Sequence, residues 1–134
     1  MTGNSESSKT SKDVAVREAR FDDLDDMYKL MSSLHDKPAW DKESADENSK
    51  AEKVFSQMLR DDSRSIYFAT YQGVAAGSID LVVVPNLTAD LSPWATIENI
   101  VVLPEYQLKG IGRCLMEAAI ERAREAGCYQ VQLV

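Results

Sequence analysis

The feature that most constrains this chain is a buried strand that runs into a helix through a glycine-rich turn. Residues 95–103 (ATIENIVVL) are largely apolar on both faces, which is typical of a central strand. A helical pattern over 110–126 begins with a Gly-x-Gly sequence, and Gly127 stands where a helix is expected to end. Residues 128–134 (CYQVQLV) predict one more strand. Because a strand–helix–strand crossover makes its strands parallel, this region predicts a βαβ unit.

The preceding part of the chain predicts two helices and the antiparallel part of the same sheet. Alternating and helical spacings of apolar residues give the element bounds. The predicted elements are a strand at 14–16, helices at 22–34 and 51–59, strands at 65–71 and 74–84, and loops between them. Gln72-Gly73 separates the last two strands and predicts a tight hairpin turn.

Together these elements predict one α/β domain over residues 13–134, with a mixed, mostly antiparallel sheet and helices on both faces. The chain has 134 residues and is 44% hydrophobic, which suits one domain with a core of its own. Residues 1–12 hold almost nothing apolar, so we expect them to form a flexible tail.

The charge and the rare residue types exclude several classes of function. Acidic residues exceed basic ones by 22 to 15, and the net charge of -7 argues against binding to nucleic acid or to an anionic membrane. No apolar run approaches the length of a membrane span. One histidine and two cysteines give no metal-site spacing. We therefore expect a cytoplasmic protein without a metal, whose acidic surface suits a cationic substrate such as an amine.

The turn between strand and helix predicts a cradle for phosphate. Glycines let a ligand approach the backbone, and the first helical turn offers free N–H groups at the positive end of the helix dipole. The dinucleotide fingerprint fails, because Leu115 occupies the place of its third glycine. The P-loop fails, because Arg113-Cys114 follows the second glycine. The pattern Q/R-x-x-G-x-G/A fits residues 107–112 (QLKGIG) completely.

With the strand before this pattern and the helix and strand after it, the stretch 97–134 resembles motif A of the GNAT acetyltransferases. The resemblance implies a GNAT fold whose βαβ unit binds acetyl-CoA as co-substrate, and transfer of its acetyl group to a small-molecule amine by direct attack. The pyrophosphate is expected on the backbone of Gln107, Leu108, Lys109, Gly110, Ile111, Gly112 and Arg113. The pantetheine arm is expected along the strand near Ile100 and Val102, with an N–H near Val101 or Val102 holding the oxyanion.

Glu98 is the candidate catalytic residue. It interrupts an apolar strand, and several members of the family that the chain resembles place a glutamate there as the general base that deprotonates the amine. Alternation along a regular strand would put Glu98 on the same face as Ile100 and Val102. The other interpretation is a structural carboxylate bonded to neighbouring backbone.

Other polar and aromatic residues have plainer interpretations. We expect Asn86 and Thr88 to make turn contacts, His35 to be exposed and Cys114 to be a small buried residue. Further expectations are a surface position for Tyr106, a packed one for Tyr129, and a place over the acceptor pocket or the core for Trp40 and Trp94.

The resemblance also implies that the domain is incomplete at its C-terminus, since GNAT proteins continue with a helix and two strands. A non-catalytic acetyl-CoA-binding module is therefore the alternative function. A homodimer is plausible on the exposed strand edges that this would leave.

Overall fold

The computed structural model describes residues 13–134, and the tail predicted at residues 1–12 lies outside this described part. Within it the chain forms six strands and three α-helices. In order they are β1 (Val14–Glu18), α1 (Leu24–His35), α2 (Ala45–Arg60), β2 (Arg64–Tyr71), β3 (Val74–Val84), β4 (Trp94–Ile97), β5 (Val101–Val102), α3 (Ile111–Glu125) and β6 (Val131–Leu133).

The strands form one mixed sheet in the order β1-β2-β3-β4-β6, with β5 paired to β3 as well. All neighbours are antiparallel except β4 and β6, which are parallel and joined by α3. The predicted βαβ unit and the mostly antiparallel sheet are therefore confirmed. The predicted hairpin is confirmed too, since Gln72 and Gly73 connect β2 to β3 with φ angles of 50° and 84°.

A hydrophobic cluster lies on each face of the sheet, which confirms the predicted helices on both faces. Ile111, Leu115, Ala119 and Ala123 of α3 pack on one face, as the helical pattern predicted. Helices α1 and α2 cover the other face, where their contribution includes Met27, Leu30 and Phe55. The strands alternate between the two clusters: Ile79 and Leu81 face α3, and Ile66 and Phe68 face α1 and α2.

The continuous strand predicted at 95–103 is wrong, because a β-bulge divides it into β4 and β5. Leu81 pairs with Ile97 and Ser78 with Val101, so three steps along β3 oppose four steps along the other strand. The extra residue lies between Glu98 and Val101 and reverses the alternation of side chains after it. The sequence could not reveal it, since a segment that is apolar on both faces carries no alternation to disturb.

Several element bounds and orientations also differ from the prediction. Helix α2 begins at Ala45, since Ser44 caps it by accepting a hydrogen bond of 3.2 Å from the Glu47 amide. Glu117, whose charge favours an outward position on α3, has its Oε1 enclosed. Strand β6 is shorter than predicted and is exposed along Val131–Leu133, because it lies at the edge of the sheet.

Asp23 joins the start of α1 to β1. Its carboxylate accepts hydrogen bonds of 2.8 and 2.9 Å from the Arg17 guanidinium and one of 2.7 Å from the Arg20 amide. Asp23 is the N-cap residue of α1 and is buried, but its side chain makes no capping hydrogen bond to the helix. The Arg17 hydrogen bond holds the pKa of Asp23 below its ordinary value.

Candidate functional site

The glycine-rich turn leaves the amino end of α3 open. A short 3-10 turn, Pro104–Tyr106, follows β5, and the exposed residues 107–110 lead into the helix. Gly110 is the N-cap residue with φ 84° and ψ 6°, and it has no side chain to cap the helix. A Cβ at Gly110 would meet nothing within 4 Å, and one at Gly112 would meet only the Val102 Cγ2 at 3.8 Å. The space around this turn is therefore available to a ligand.

The first turn of α3 presents backbone N–H groups to that space. The Cys114 amide makes the first intrahelical bond, to Gly110 at 3.1 Å, so the amides of 111–113 have no intrahelical acceptor. Together with the helix dipole they form an anion-binding end. The Gln107 amide, which was predicted to join them, already donates to the Pro104 carbonyl at 3.3 Å.

The residues around the cradle add backbone strain and positive charge. Leu108 is fully exposed with φ 66°, a left-handed conformation that non-glycine residues rarely adopt and that is concentrated at functional sites. The Lys109 ammonium lies 5.3 Å from the centre of the Tyr71 ring, which places its charge over β2. Arg113 is exposed, and among residues 13–134 no carboxylate pairs with it.

The bulge determines which amide of β5 is free to meet a ligand. The Leu103 amide donates to the Ala76 carbonyl of β3 at 2.9 Å. Because successive amides of a strand point to opposite sides, the Val102 amide points away from β3 and the Val101 amide points towards it. Of the two predicted oxyanion donors, the structure therefore leaves Val102 available. Ile100 lies in the irregular segment between β4 and β5.

A cavity of about 500 Å³ lies on the opposite face of the sheet, beneath α1 and α2. Its wall is mainly apolar and includes Met27, Met31, Trp40, Val54, Phe55 and Met58. Trp40 is held in place by an edge contact to Tyr28 at 4.8 Å and by its Nε1, which donates to the Asn48 Oδ1 at 3.0 Å. Trp40 thus covers this cavity, one of the two positions suggested for it by the sequence.

On the side formed by the sheet the cavity is lined by the polar residues Ser78, Asp80 and Asn99. Asp80 is only 4% exposed. Its Oδ1 accepts a hydrogen bond of 2.9 Å from the Arg64 Nε, whereas its buried Oδ2 has no hydrogen-bond partner in the described chain. Burial raises the pKa of Asp80, although Arg64 opposes that shift.

Sequence reasoning missed Asp80, yet the signal for it was present. Asp80 is the only charged residue of the strand Val74–Val84, just as Glu98 is the only one in the apolar segment 95–103. An acidic residue on a strand that is otherwise apolar must be desolvated or reach a pocket. The same reasoning that selected Glu98 therefore applies to Asp80.

Glu98 lies beside Asp80 on the face of α1 and α2. It is half-buried rather than buried, and the Thr96 hydroxyl donates to its Oε2 at 3.1 Å. Its amide donates to the Asp80 carbonyl at 2.8 Å. Because of the bulge, Glu98 does not share a face with Ile100 and Val102, which pack towards α3, and that prediction is wrong.

The remaining candidates fall into structural roles. Asn86 donates to Thr88 and to the Ser92 carbonyl, which confirms turn chemistry in this loop. Cys114 is buried, and burial raises the pKa of its thiol. Two predictions are wrong: Tyr129 is 50% exposed, and Tyr106 packs against both clusters.

Neither a metal site nor a membrane-spanning helix is present in residues 13–134. No group of three or more histidine, cysteine or acidic side chains there is arranged to hold a metal ion. No helix of that part is long and apolar enough to cross a membrane.

Comparison with known proteins identifies the family. The sequence signature of the Acetyltransferase (GNAT) family matches residues 24–134. A glucosamine 6-phosphate N-acetyltransferase of Trypanosoma brucei brucei is 36% identical over 61 residues, which cover 46% of this chain and 42% of that protein. The match thus spans less than half of this curated relative.

Solved structures of other proteins have the same fold over nearly the whole of this chain. A putative acetyltransferase from Agrobacterium tumefaciens str. C58 is 34% identical, with a TM-score of 0.79 over 90% of this chain and 80% of that chain. A Trypanosoma brucei acetyltransferase is 26% identical, with a TM-score of 0.75 over 91% of this chain and 82% of that chain.

The chain shares its fold with these two acetyltransferases over about 90% of its length. With the match over residues 24–134, the chain belongs to the GNAT acetyltransferase family, which confirms the resemblance seen at 97–134. GNAT acetyltransferases use acetyl-CoA as their co-substrate.

Proposed function

We propose that this protein is an N-acetyltransferase that moves the acetyl group of acetyl-CoA to the primary amine of a small molecule. The observation that carries the proposal is the open amino end of α3, where the backbone amides of 111–113 face unfilled space. Family membership supplies the reaction type. The acceptor cavity on the other face of the sheet gives the amine a separate place to bind.

In this proposal the pyrophosphate of acetyl-CoA binds the amides of 111–113 and the backbone of the exposed residues 108–110. Lys109 and Arg113 supply positive charge beside it. The residues present fit the group, because both glycines of the turn leave room for it. The pantetheine arm follows the outer edge of β5, where the Val102 amide points away from β3 and can stabilise the oxyanion of the reacting thioester.

The chemistry requires a free amine, and Glu98 is the proposed group that accepts its proton. The amine nitrogen attacks the thioester carbon, the new C–N bond forms, and the C–S bond breaks to release CoA. Glu98 suits the role because it is half-buried, is bonded through its amide to Asp80 of the cavity lining and receives a hydrogen bond from Thr96. Direct attack needs no nucleophile from the protein, and Cys114 is buried in the α3 cluster.

Release of CoA thiol from acetyl-CoA, measured with a panel of primary amines, tests the proposal. We expect Glu98→Gln to lower kcat by about a hundredfold or more, as for loss of a general base, with the dissociation constant for acetyl-CoA unchanged. Glu105→Gln is the matched control, because Glu105 is exposed in the turn before the cradle.

Three results would contradict the proposal in different ways. If wild-type protein does not bind acetyl-CoA in calorimetry, the cradle assignment is wrong. If it binds acetyl-CoA but acetylates no amine, the alternative of a non-catalytic acetyl-CoA-binding module is correct. If amines are acetylated equally well by the Glu98→Gln variant, another group is the base.

A further inference from the structure

The second oxygen of Asp80 is a buried acceptor without a donor. Asp80 lines the cavity, and its Oδ2 has no hydrogen-bond partner among residues 13–134. An enclosed carboxylate oxygen in this state is costly, and native proteins rarely keep one without a reason. A ligand that brings an N–H donor into the cavity would remove that cost.

Arg64 does not fill this role. Its Nε reaches Oδ1 only, in a single contact of 2.9 Å, and its side chain is 25% exposed. The pairing therefore fixes the orientation of the Asp80 carboxylate and leaves the other, enclosed oxygen without a donor. A carboxylate held in this way is a pre-positioned acceptor for a cation.

The cavity wall indicates what the cation is attached to. Methionine and aromatic side chains dominate the wall, and Met27, Met58 and Trp40 offer an apolar, adaptable surface. Lys50 is the one basic residue that lines this cavity, and Glu47, another lining residue, is acidic. A phosphate group would be desolvated here without the clustered cations that it needs.

We infer that this cavity selects a primary ammonium carried on an apolar aryl or branched alkyl body, with Asp80 Oδ2 accepting a hydrogen bond from the ammonium. Asp80 is then a specificity-determining residue that holds the amine next to Glu98. The inference rests on the proposed function and narrows its substrate class, and it excludes phosphorylated amino sugars as the preferred acceptors.

Steady-state kinetics with four acceptors tests this selection. We would compare phenethylamine and isoamylamine with glucosamine and glucosamine 6-phosphate at saturating acetyl-CoA. We expect kcat/KM for the two apolar amines to exceed that for the two sugars by about tenfold or more. Asp80→Asn is expected to raise KM for phenethylamine by about tenfold to a hundredfold, the loss that follows removal of a hydrogen bond to a charged group.

Matched variants separate this role from a general effect on the fold. Asp62→Asn removes the same charge at an exposed position, so its KM is expected to equal that of the wild type. Ala51 lines the cavity, whereas Ser49 is exposed on the same helix. Ala51→Trp should therefore block the binding of amines in the cavity, and Ser49→Trp should leave it unchanged. Calorimetric affinity for acetyl-CoA, expected to be unchanged in all four variants, confirms that each one is folded.

A binding measurement gives a readout that does not need turnover. Phenethylamine is titrated into the protein in the presence of CoA, and tryptophan fluorescence reports its binding. Binding that weakens in Asp80→Asn supports the inference even if no amine is acetylated, a result that would refute the proposed function alone. Two results would overturn the inference and leave the acetyltransferase proposal intact. One is a higher kcat/KM for glucosamine 6-phosphate than for the apolar amines. The other is a folded Asp80→Asn variant whose KM and affinity for phenethylamine are unchanged.

Discussion

Replacing Gly112 by alanine tests whether the glycine at the start of α3 leaves room for a ligand or is required by the fold. Gly112 lies in the first turn of the helix, and its φ is not in the left-handed region. An added Cβ would meet only the Val102 side chain, at an ordinary contact distance of 3.8 Å. The unliganded protein therefore has no need of a glycine at this position.

The expected changes in stability follow from backbone conformation. Alanine in a compatible helical conformation stabilises a protein by about 0.5–1 kcal/mol, chiefly by restricting the unfolded chain. Gly110→Ala is the matched control, because Gly110 has φ 84°. A side chain in that left-handed conformation costs about 1–2 kcal/mol, so the two substitutions should change stability in opposite directions.

Urea unfolding and acetyl-CoA titration measure the two effects separately. We expect Gly112→Ala to unfold at higher urea, with a melting temperature raised by about 2–5 °C. Its affinity for acetyl-CoA should fall by about tenfold or more, because the added methyl group would project into the space that the proposal gives to the pyrophosphate. Stabilisation together with lost binding is a combination that a purely structural glycine cannot give.

Two results would refute this reasoning. If Gly112→Ala destabilises the protein, the glycine is needed by the fold. If it is stabilised and binds acetyl-CoA like the wild type, the ligand does not approach this turn.

Two further expectations concern the fold around the site. Asp23→Asn should cost about 1–3 kcal/mol at pH 7. Because the Arg17 hydrogen bond lowers the folded pKa of Asp23 below its ordinary value of 3.8, the difference in stability should begin to shrink as the pH falls towards that value and should be lost only below the folded pKa. Urea unfolding across pH measures this difference, and a difference that stays constant would contradict the reasoning. Gly77→Ala should lower the free energy of unfolding by about 1–3 kcal/mol, because its Cβ would lie 2.6 Å from the Val101 carbonyl oxygen and displace β5. Thermal unfolding measures this loss. An unchanged melting temperature would show that β5 can move freely.

Local sequence signals predicted the elements whose structure is decided locally. The Gln72-Gly73 turn and the glycine that ends α3 need left-handed backbone, and the structure has φ 79° at Gly127. The inward face of α3 followed from helical spacing alone. The start of α2 was also readable, because Ser44 and Glu47 form the Ser-x-x-Glu pattern of a helix start, although the loop was predicted to extend to residue 48.

The site was less predictable, because its geometry depends on pairing between distant strands. The bulge after Glu98 arises from the register of β3 against β4 and β5, which no local pattern records. It turned Ile100 and Val102 away from the face that carries Glu98 and decided which of the Val101 and Val102 amides points away from β3. The pairing of Asp80 with Arg64, sixteen positions apart, likewise needs the β2–β3 hairpin to exist first.

The two hydrophobic clusters have a consequence for how proteins of this design diverge. The cluster under α3 supports the turn proposed to bind the co-substrate, and the cluster under α1 and α2 contributes to the wall of the cavity proposed for the acceptor. Because the sheet separates them, packing changes on one side leave the contacts of the other side in place. A lineage can therefore acquire a new acceptor by substitutions in α1 and α2 while it inherits the acetyl donor site unaltered.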